Sequence, residues 1–188
     1  MRKITVFNHV SIDGFFAGPN GEIEWFKLIK KDDEWDDYTH EQSKSGNTLI
    51  FGHTTYEMMK NYWPTPEAIN NDPDMAQVVN NSPKIVFSNT LQSVEDGPNW
   101  KNIKLFHEIK PEEIHKLKEK EDMTIIGSGT IAQQFANLGL IDEYSLAIVP
   151  VILGSGKPLF KDVKTTNLKP AGARRFRNGI VLLRYKPT

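Results

Sequence analysis

The stretch MTIIGSGTIAQQF, residues 123–135, decides the fold class of this chain. Its first four residues are apolar or β-branched, as expected for a short buried strand. Gly127, Ser128 and Gly129 follow as a turn, and Ile131 and Phe135 then stand four residues apart, which is the spacing of one helix face. A strand that passes through a glycine turn directly into a helix is typical of α/β proteins with a parallel sheet.

The same arrangement recurs along the chain. TLIF, residues 48–51, predicts a buried strand followed by a helix that Thr54 or Thr55 caps, and IVFS, residues 85–88, predicts another strand before a turn. Asn178-Gly179 predicts a two-residue hairpin. Further strands are predicted at residues 4–12, 103–106 and 144–149, and helices at 33–44, 73–81 and from Pro111 onward. We therefore expect one domain over residues 1–188, a three-layer α/β/α sandwich with a mixed, mostly parallel central sheet and a C-terminal antiparallel hairpin.

Composition excludes several classes of function. The 188 residues include 23 basic and 24 acidic ones, so the formal net charge of -1 provides no strong field for nucleic acid or an anionic membrane. There is no cysteine, which excludes disulfides and thiolate chemistry, and the five histidines are too scattered to predict a metal site. No apolar run approaches the ~18 residues of a membrane helix, and no secretory signal is present. We expect a cytoplasmic protein.

Small polar residues follow three of the predicted strands, at Gly52-His53-Thr54-Thr55, Ser88-Asn89-Thr90 and Gly127-Ser128-Gly129-Thr130. The carboxyl ends of parallel strands are where α/β proteins bind ligands, glycine allows close approach, and helix N-termini attract phosphate. Ordinary turns and helix caps need the same residue types, so each junction alone has that second interpretation. An acidic residue is missing after the next strand, which argues against a Rossmann dinucleotide site.

Taken together, these pieces resemble the dihydrofolate reductase fold superfamily, and most of all the stand-alone relatives of the reductase domain of riboflavin biosynthesis. The resemblance covers nearly the whole chain. It is carried by SIDGFFAGPNGEIEW (residues 11–25), FGHTTYE (51–57), FSNT (87–90), IIGSGTIAQQF (125–135) and LIDEYSLAIVPVILGSGKPLF (140–160).

The resemblance implies a nicotinamide cofactor, NADPH with NADH as an alternative, and assigns residues to each of its parts. The nicotinamide ring would lie near Ala17 and Gly18, and the ribose with its 2′-phosphate near Ser88, Asn89 and Thr90. The pyrophosphate would lie between two groups, one of Gly52, His53, Thr54 and Thr55 and the other of Gly127, Ser128, Gly129, Thr130 and Ile131.

On the substrate side the resemblance implies Asp13, Phe15, Phe16 and Trp25. Asp13 is the candidate catalytic residue, because a carboxylate at the end of the first strand can bind substrate or supply a proton. An Asp-Gly pair that caps its own turn is an equal alternative. Lys157 is a candidate contact for a substrate phosphate.

Two features depart from the relatives. His53 stands where many of them carry arginine or lysine, which leaves the choice between NADPH and NADH open. Acids are frequent in FKLIKKDDEWDDY, residues 26–38, but none is identified as the acid that contacts the pterin in dihydrofolate reductase.

The sequence thus predicts an NADPH-dependent reductase of a small heterocycle, most like 5-amino-6-(5-phosphoribosylamino)uracil reductase. Dihydrofolate reduction and a non-catalytic nucleotide-binding protein are the alternatives. We also expect a homodimer, because relatives pair through their C-terminal strands.

Overall fold

The computed structural model describes residues 2–188, which form strands and helices in alternation. Its strands are β1 (Ile4–Ser11), β2 (Phe15–Ala17), β3 (Thr48–Gly52), β4 (Lys84–Phe87), β5 (Ile103–Phe106), β6 (Met123–Ile126), β7 (Glu143–Val149), β8 (Lys157–Pro158), β9 (Leu168–Arg175) and β10 (Val181–Pro187). Its helices are α1 (Asp33–Ser43), α2 (His53–Tyr62), α3 (Pro66–Asn71), α4 (Pro73–Asn81), α5 (Pro111–Lys118) and α6 (Gly129–Asn137), with a 3-10 helix at Glu24–Leu28.

The central sheet has eight strands in the order β5-β4-β3-β6-β1-β7-β10-β9. The first six are parallel to one another, whereas β10 runs antiparallel to both β7 and β9. The predicted mixed, mostly parallel sheet with a C-terminal antiparallel hairpin is confirmed. Among residues 2–188, no helix has the length and apolar content needed to cross a membrane.

Alternation along the strands directs side chains into two apolar layers. In β3, Ile50 packs with Phe135 of α6 on one face of the sheet. Its neighbours Leu49 and Phe51 pack with Tyr56 of α2 on the other. Such strands are apolar on both sides because helices cover both faces of the sheet.

Three details differ from the sequence predictions. Helix α2 begins at His53 with Gly52 as its N-cap, so neither Thr54 nor Thr55 caps it. Helix α3 follows Trp63, where no helix is predicted, because Thr65 accepts a hydrogen bond from the Ala68 amide and so caps a new helix.

The C-terminal hairpin has a three-residue loop rather than a two-residue turn. The Phe176 amide donates to Ile180 O at 2.9 Å, and the Gly179 amide donates to Phe176 O at 3.1 Å. Gly179 adopts φ +90°, as expected of the glycine that completes a type I turn with a bulge.

Candidate functional site

A cavity of about 730 Å³ opens at the carboxyl ends of the parallel strands. Strand β1 contributes Asn8 and His9 to its lining, and β3 contributes Gly52. Phe87 and Ile126, the last residues of β4 and β6, also line it. The cavity therefore lies at the carboxyl ends of the parallel strands, which is where α/β proteins bind their ligands.

Helices α2 and α6 begin at this cavity, and neither N-terminus has a side-chain cap. By contrast, Asp32, Thr65 and Asp72 cap α1, α3 and α4. Helix α5 also lacks a side-chain cap, but its first residue, Pro111, does not line the cavity. The first amides of a helix have no partner within the helix and carry the positive end of its dipole. Two uncapped helix starts beside each other therefore present donors to an anion in the cavity.

Hydrogen bonds between the two loops hold these helix starts together. The Gly52 amide donates to Ser128 Oγ at 2.7 Å, and the Ser128 amide donates to Thr55 Oγ1 at 3.0 Å. Asn8 Nδ2 donates to Gly127 O at 3.3 Å, which links β1 to the same turn. The Thr55 hydroxyl therefore accepts a hydrogen bond that joins the two loops.

The turn before α6 is tightly packed and unusual in its backbone. Gly127 and Ser128 both adopt left-handed conformations, with φ of +60° and +52°. A Cβ at Gly129 would lie 2.5 Å from Cε1 of Phe16, so the Phe16 ring rests directly on the glycine. A left-handed non-glycine residue costs free energy, and such strain is concentrated at functional sites.

At one end of the cavity, the turn after β4 is ordered by its own hydroxyl groups. The amides of Thr90 and Leu91 donate to Ser88 Oγ, and His53 Nδ1 lies 3.0 Å from Thr90 Oγ1. His107 Nδ1 donates to the Ser88 carbonyl at 2.8 Å, because a carbonyl can only accept. Its Nε2 is left for another partner.

At the other end the cavity is aromatic. The His9 ring centroid lies 4.9 Å from that of Phe26 and 5.5 Å from that of Trp35. Burial lowers the pKa of His9 from 6.5 to about 4, so the imidazole is neutral at pH 7.

The structure brings nearly all the predicted cofactor residues to this one cavity. Those that line it are Ala17, Gly52, His53, Thr54, Thr55, Ser88, Asn89, Thr90, Gly127, Ser128, Gly129, Thr130 and Ile131. Gly18 does not, because its amide donates to Glu22 O at 2.8 Å within the loop after β2. Their contacts with a cofactor stay predictions.

Of the predicted substrate residues, Phe16 lines the cavity, and so does Lys157, the candidate contact for a substrate phosphate. Phe15 pairs with Pro158 of β8, and Trp25 packs against Phe26 in the core. The sequence placed Asp13 facing the cleft, but its carboxylate is exposed and accepts hydrogen bonds from the amides of Leu153 (3.1 Å) and Gly154 (2.7 Å). Hydrogen bonding by Ser11, Gly154 and Leu153 keeps the pKa of Asp13 below its ordinary value. The placement favours the alternative in which Asp13 anchors loops.

Sequence reasoning missed two parts of the site, His9 and the cavity face of α1. His9 is assigned no role in the sequence analysis, although the polar pair Asn8-His9 within a largely apolar strand is a usable signal. Helix α1 presents Trp35 and Thr39 to the cavity, one turn apart. The acids at residues 32–37 do not line it, so none of them takes the place of a pterin-binding acid.

Comparison with known proteins agrees with this picture. Residues 2–182 match the model of the RibD C-terminal domain family. The uncharacterized protein YyaP of Bacillus subtilis (strain 168) is 33% identical over 187 residues, which cover 98% of this chain and 94% of YyaP. YwjB of the same organism is 26% identical over 182 residues, 96% of each chain.

Two solved structures share the fold. A Shewanella sp. PV-4 protein named for riboflavin biosynthesis superposes with a TM-score of 0.79 over 99% of each chain, at 22% identity. The second is the diaminohydroxyphosphoribosylaminopyrimidine deaminase/5-amino-6-(5-phosphoribosylamino)uracil reductase of Thermotoga maritima. It has a TM-score of 0.67 at 15% identity, over 100% of this chain and 57% of that one.

The resemblance found in the sequence is therefore confirmed at the level of the family. Since the family model spans residues 2–182, the chain belongs to the RibD C-terminal domain family and is by that membership an oxidoreductase.

Proposed function

We propose that the cavity binds a nicotinamide dinucleotide, NADPH in the first place, and that the chain uses it to reduce a small heterocycle. One observation carries the proposal. The uncapped N-termini of α2 and α6 follow the adjacent strands β3 and β6 and open onto the same cavity. A pyrophosphate is the anion that this pair of helix ends fits best, because each end offers backbone donors and a positive dipole end.

The remaining lining fits the other parts of a dinucleotide. Ser88, Asn89 and Thr90 offer hydroxyl and amide groups for the adenosine ribose, with His53 and His107 beside them. Ala17 and Phe16 would border the nicotinamide, since Phe16 covers the start of α6. Without a fixed arginine or lysine at the adenosine end, we expect only a modest preference for NADPH over NADH.

A bound dihydronicotinamide supplies a hydride for an electrophilic carbon, and the reduced product takes up one proton. The chain contributes orientation and exclusion of water. Phe16 closes the cavity over Gly129, and the aromatic rings around His9 keep the opposite end dry.

The structure offers no free carboxylate at the substrate end, which weighs against dihydrofolate reduction through a pterin-binding acid. Two acids are among the described residues of the lining, Asp72 and Glu108. Asp72 contacts His40 Nε2 at 2.9 Å and accepts from the Met75 amide at 3.0 Å. Glu108 follows β5, near the adenosine end. We therefore assign the proton to solvent.

The test is a titration with NADPH, and separately NADH, followed by quenching of tryptophan fluorescence, since Trp35 and Trp63 line the cavity. We expect saturation at micromolar concentration. The variant Gly129→Ala is expected to bind about tenfold or more weakly, because the added methyl meets the Phe16 ring. Gly97→Ala is the matched control, because a Cβ there meets nothing within 4 Å.

Wild-type protein that binds neither dinucleotide at millimolar concentration would overturn the proposal. Binding without oxidation of NADPH across a panel of pterins and pyrimidines would instead support the non-catalytic alternative.

Two further proposals concern the whole molecule. We propose a homodimer, supported by the exposed edge strand β9, whose residues are mostly solvent-accessible. Light scattering should then give twice the mass of one chain, and a monomer at micromolar concentration would count against it. Location in the cytoplasm stays a prediction from the absence of cysteine.

A further inference from the structure

The end of the cavity opposite the turn at Ser88, Asn89 and Thr90 has the shape and lining to hold a flat, apolar group. His9 on β1 is surrounded by Phe7, Phe26 and Trp35, with ring centroids 5.7, 4.9 and 5.5 Å away. All four side chains line the cavity. Aromatic walls at these distances favour a planar ring that stacks or meets them edge to face.

His9, on β1, is a polar side chain at this aromatic end that forms no hydrogen bond with the described residues. Among residues 2–188, neither ring nitrogen of His9 forms a hydrogen bond, whereas His40, His53 and His107 each form one. Neither His9 nitrogen is fully enclosed by protein atoms, so both remain accessible from the cavity. A neutral imidazole can donate from one nitrogen and accept at the other, and its tautomer can follow the ligand.

The charges around the cavity do not favour an anionic substrate at this end. Of the described lining residues, Lys157 is the one with a fixed positive charge. Lys157 is exposed, and its ammonium lies 3.2 Å from where a Cβ of Gly21 would be. Hydrogen bonds from its own amide and from Asn20 lower the pKa of Glu22, and the charge of Lys157 adds to that shift. The nearby Glu22 carboxylate partly offsets this charge, although the two side chains form no ion pair, and burial keeps His9 neutral with a pKa of about 4. A phosphate placed among these aromatic rings would lack the cation it needs.

We propose that His9 is the residue that recognises the substrate, and that this substrate is an uncharged, planar nitrogen heterocycle without a phosphate group. This inference rests on the proposed function for the reaction that the substrate undergoes, but not for the binding of that substrate. Ring N–H and carbonyl groups in the plane of such a heterocycle match the donor and acceptor of a neutral imidazole, and its faces match the surrounding rings. We therefore expect an unphosphorylated heterocycle as substrate, in place of the phosphorylated pyrimidine that the sequence predicts.

The experiment compares two ligands that differ only in phosphate, 5-amino-6-ribosylaminouracil and its 5′-phosphate, with pterin as a third probe. Calorimetric titrations are run with and without saturating NADP⁺, so that no turnover occurs. We expect the unphosphorylated form to bind at least as tightly as the phosphate. His9→Phe keeps the aromatic packing but removes both hydrogen-bonding groups, and should weaken binding by about tenfold or more. His115→Phe on α5 is the matched control, because His115 is exposed and does not line the cavity.

The outcomes separate the two proposals. Tighter binding of the phosphate by about tenfold, unchanged affinity in His9→Phe, or no binding of any uncharged probe would each overturn the inference. Absence of NADP⁺ binding would overturn the proposed function alone, because the titrations without NADP⁺ still report on His9. NADP⁺ affinity in His9→Phe should stay within about twofold of wild type, which a general loss of folding would not allow.

Discussion

The partly buried imidazole of His9 makes the free energy of unfolding depend on pH, and one variant isolates this effect. Burial lowers its pKa in the folded protein from 6.5 to about 4. Between these values the unfolded chain binds a proton that the folded chain does not, so stability falls as the pH falls through 6.5 and the loss is complete near 4. At about 1.4 kcal/mol per pKa unit, the full effect is roughly 3 kcal/mol. About 2 kcal/mol of it is lost between pH 7 and pH 5.

The assay is urea unfolding at pH 7 and pH 5, for the wild type, His9→Phe and the surface control His115→Phe. Carboxylates titrate in all three proteins, so the difference between wild type and His9→Phe reports on His9 alone. We expect His9→Phe to lose about 2 kcal/mol less than the wild type over this range, and His115→Phe to behave like the wild type. If wild type and His9→Phe lose the same free energy within about 0.5 kcal/mol, His9 is not held neutral and the description of the cavity's aromatic end is wrong.

Three other predictions concern single residues. His53→Arg should raise NADPH affinity by roughly threefold to tenfold and leave NADH affinity unchanged, because a fixed cation would then face the 2′-phosphate; equal gains for both dinucleotides in titrations would place that phosphate elsewhere. Lys84 donates to the carbonyls of Asn80, Ser82 and Lys101 at 2.7–3.0 Å. Lys84→Met should therefore cost about 2–5 kcal/mol in urea unfolding, and a cost under about 1 kcal/mol would show that these carbonyls find other donors. Asp13→Asn should keep NADPH oxidation within about twofold of wild type, whereas a loss of about a hundredfold would restore Asp13 as a catalytic acid.

The fold, and the gathering of the three glycine- and hydroxyl-rich turns at one cavity, followed from the sequence because they depend on local patterns. A strand, a glycine turn and a helix are each encoded within about a dozen residues, and parallel strands bring their carboxyl ends to one edge. That is why residues as distant as Gly52, Ser88 and Gly127 line one cavity.

The aromatic end did not follow, because it depends on packing between distant segments. His9 acquires its environment from Phe26 and Trp35, which lie on a 3-10 helix and on α1. Asp13 was misplaced because its partners, the amides of Leu153 and Gly154, are about 140 residues away in sequence. The side of α1 that faces the cavity could not be predicted either, because the same helical segment contains both the acids and the cavity-lining Trp35 and Thr39.

The central claim is that α2 and α6 together bind the pyrophosphate of a nicotinamide dinucleotide. The most direct measurement is a crystal structure of the protein with NADPH. We expect the pyrophosphate between the first-turn amides of α2 and α6, with the nicotinamide directed toward Phe16 and Ala17. A dinucleotide bound with its pyrophosphate away from both helix ends would contradict it.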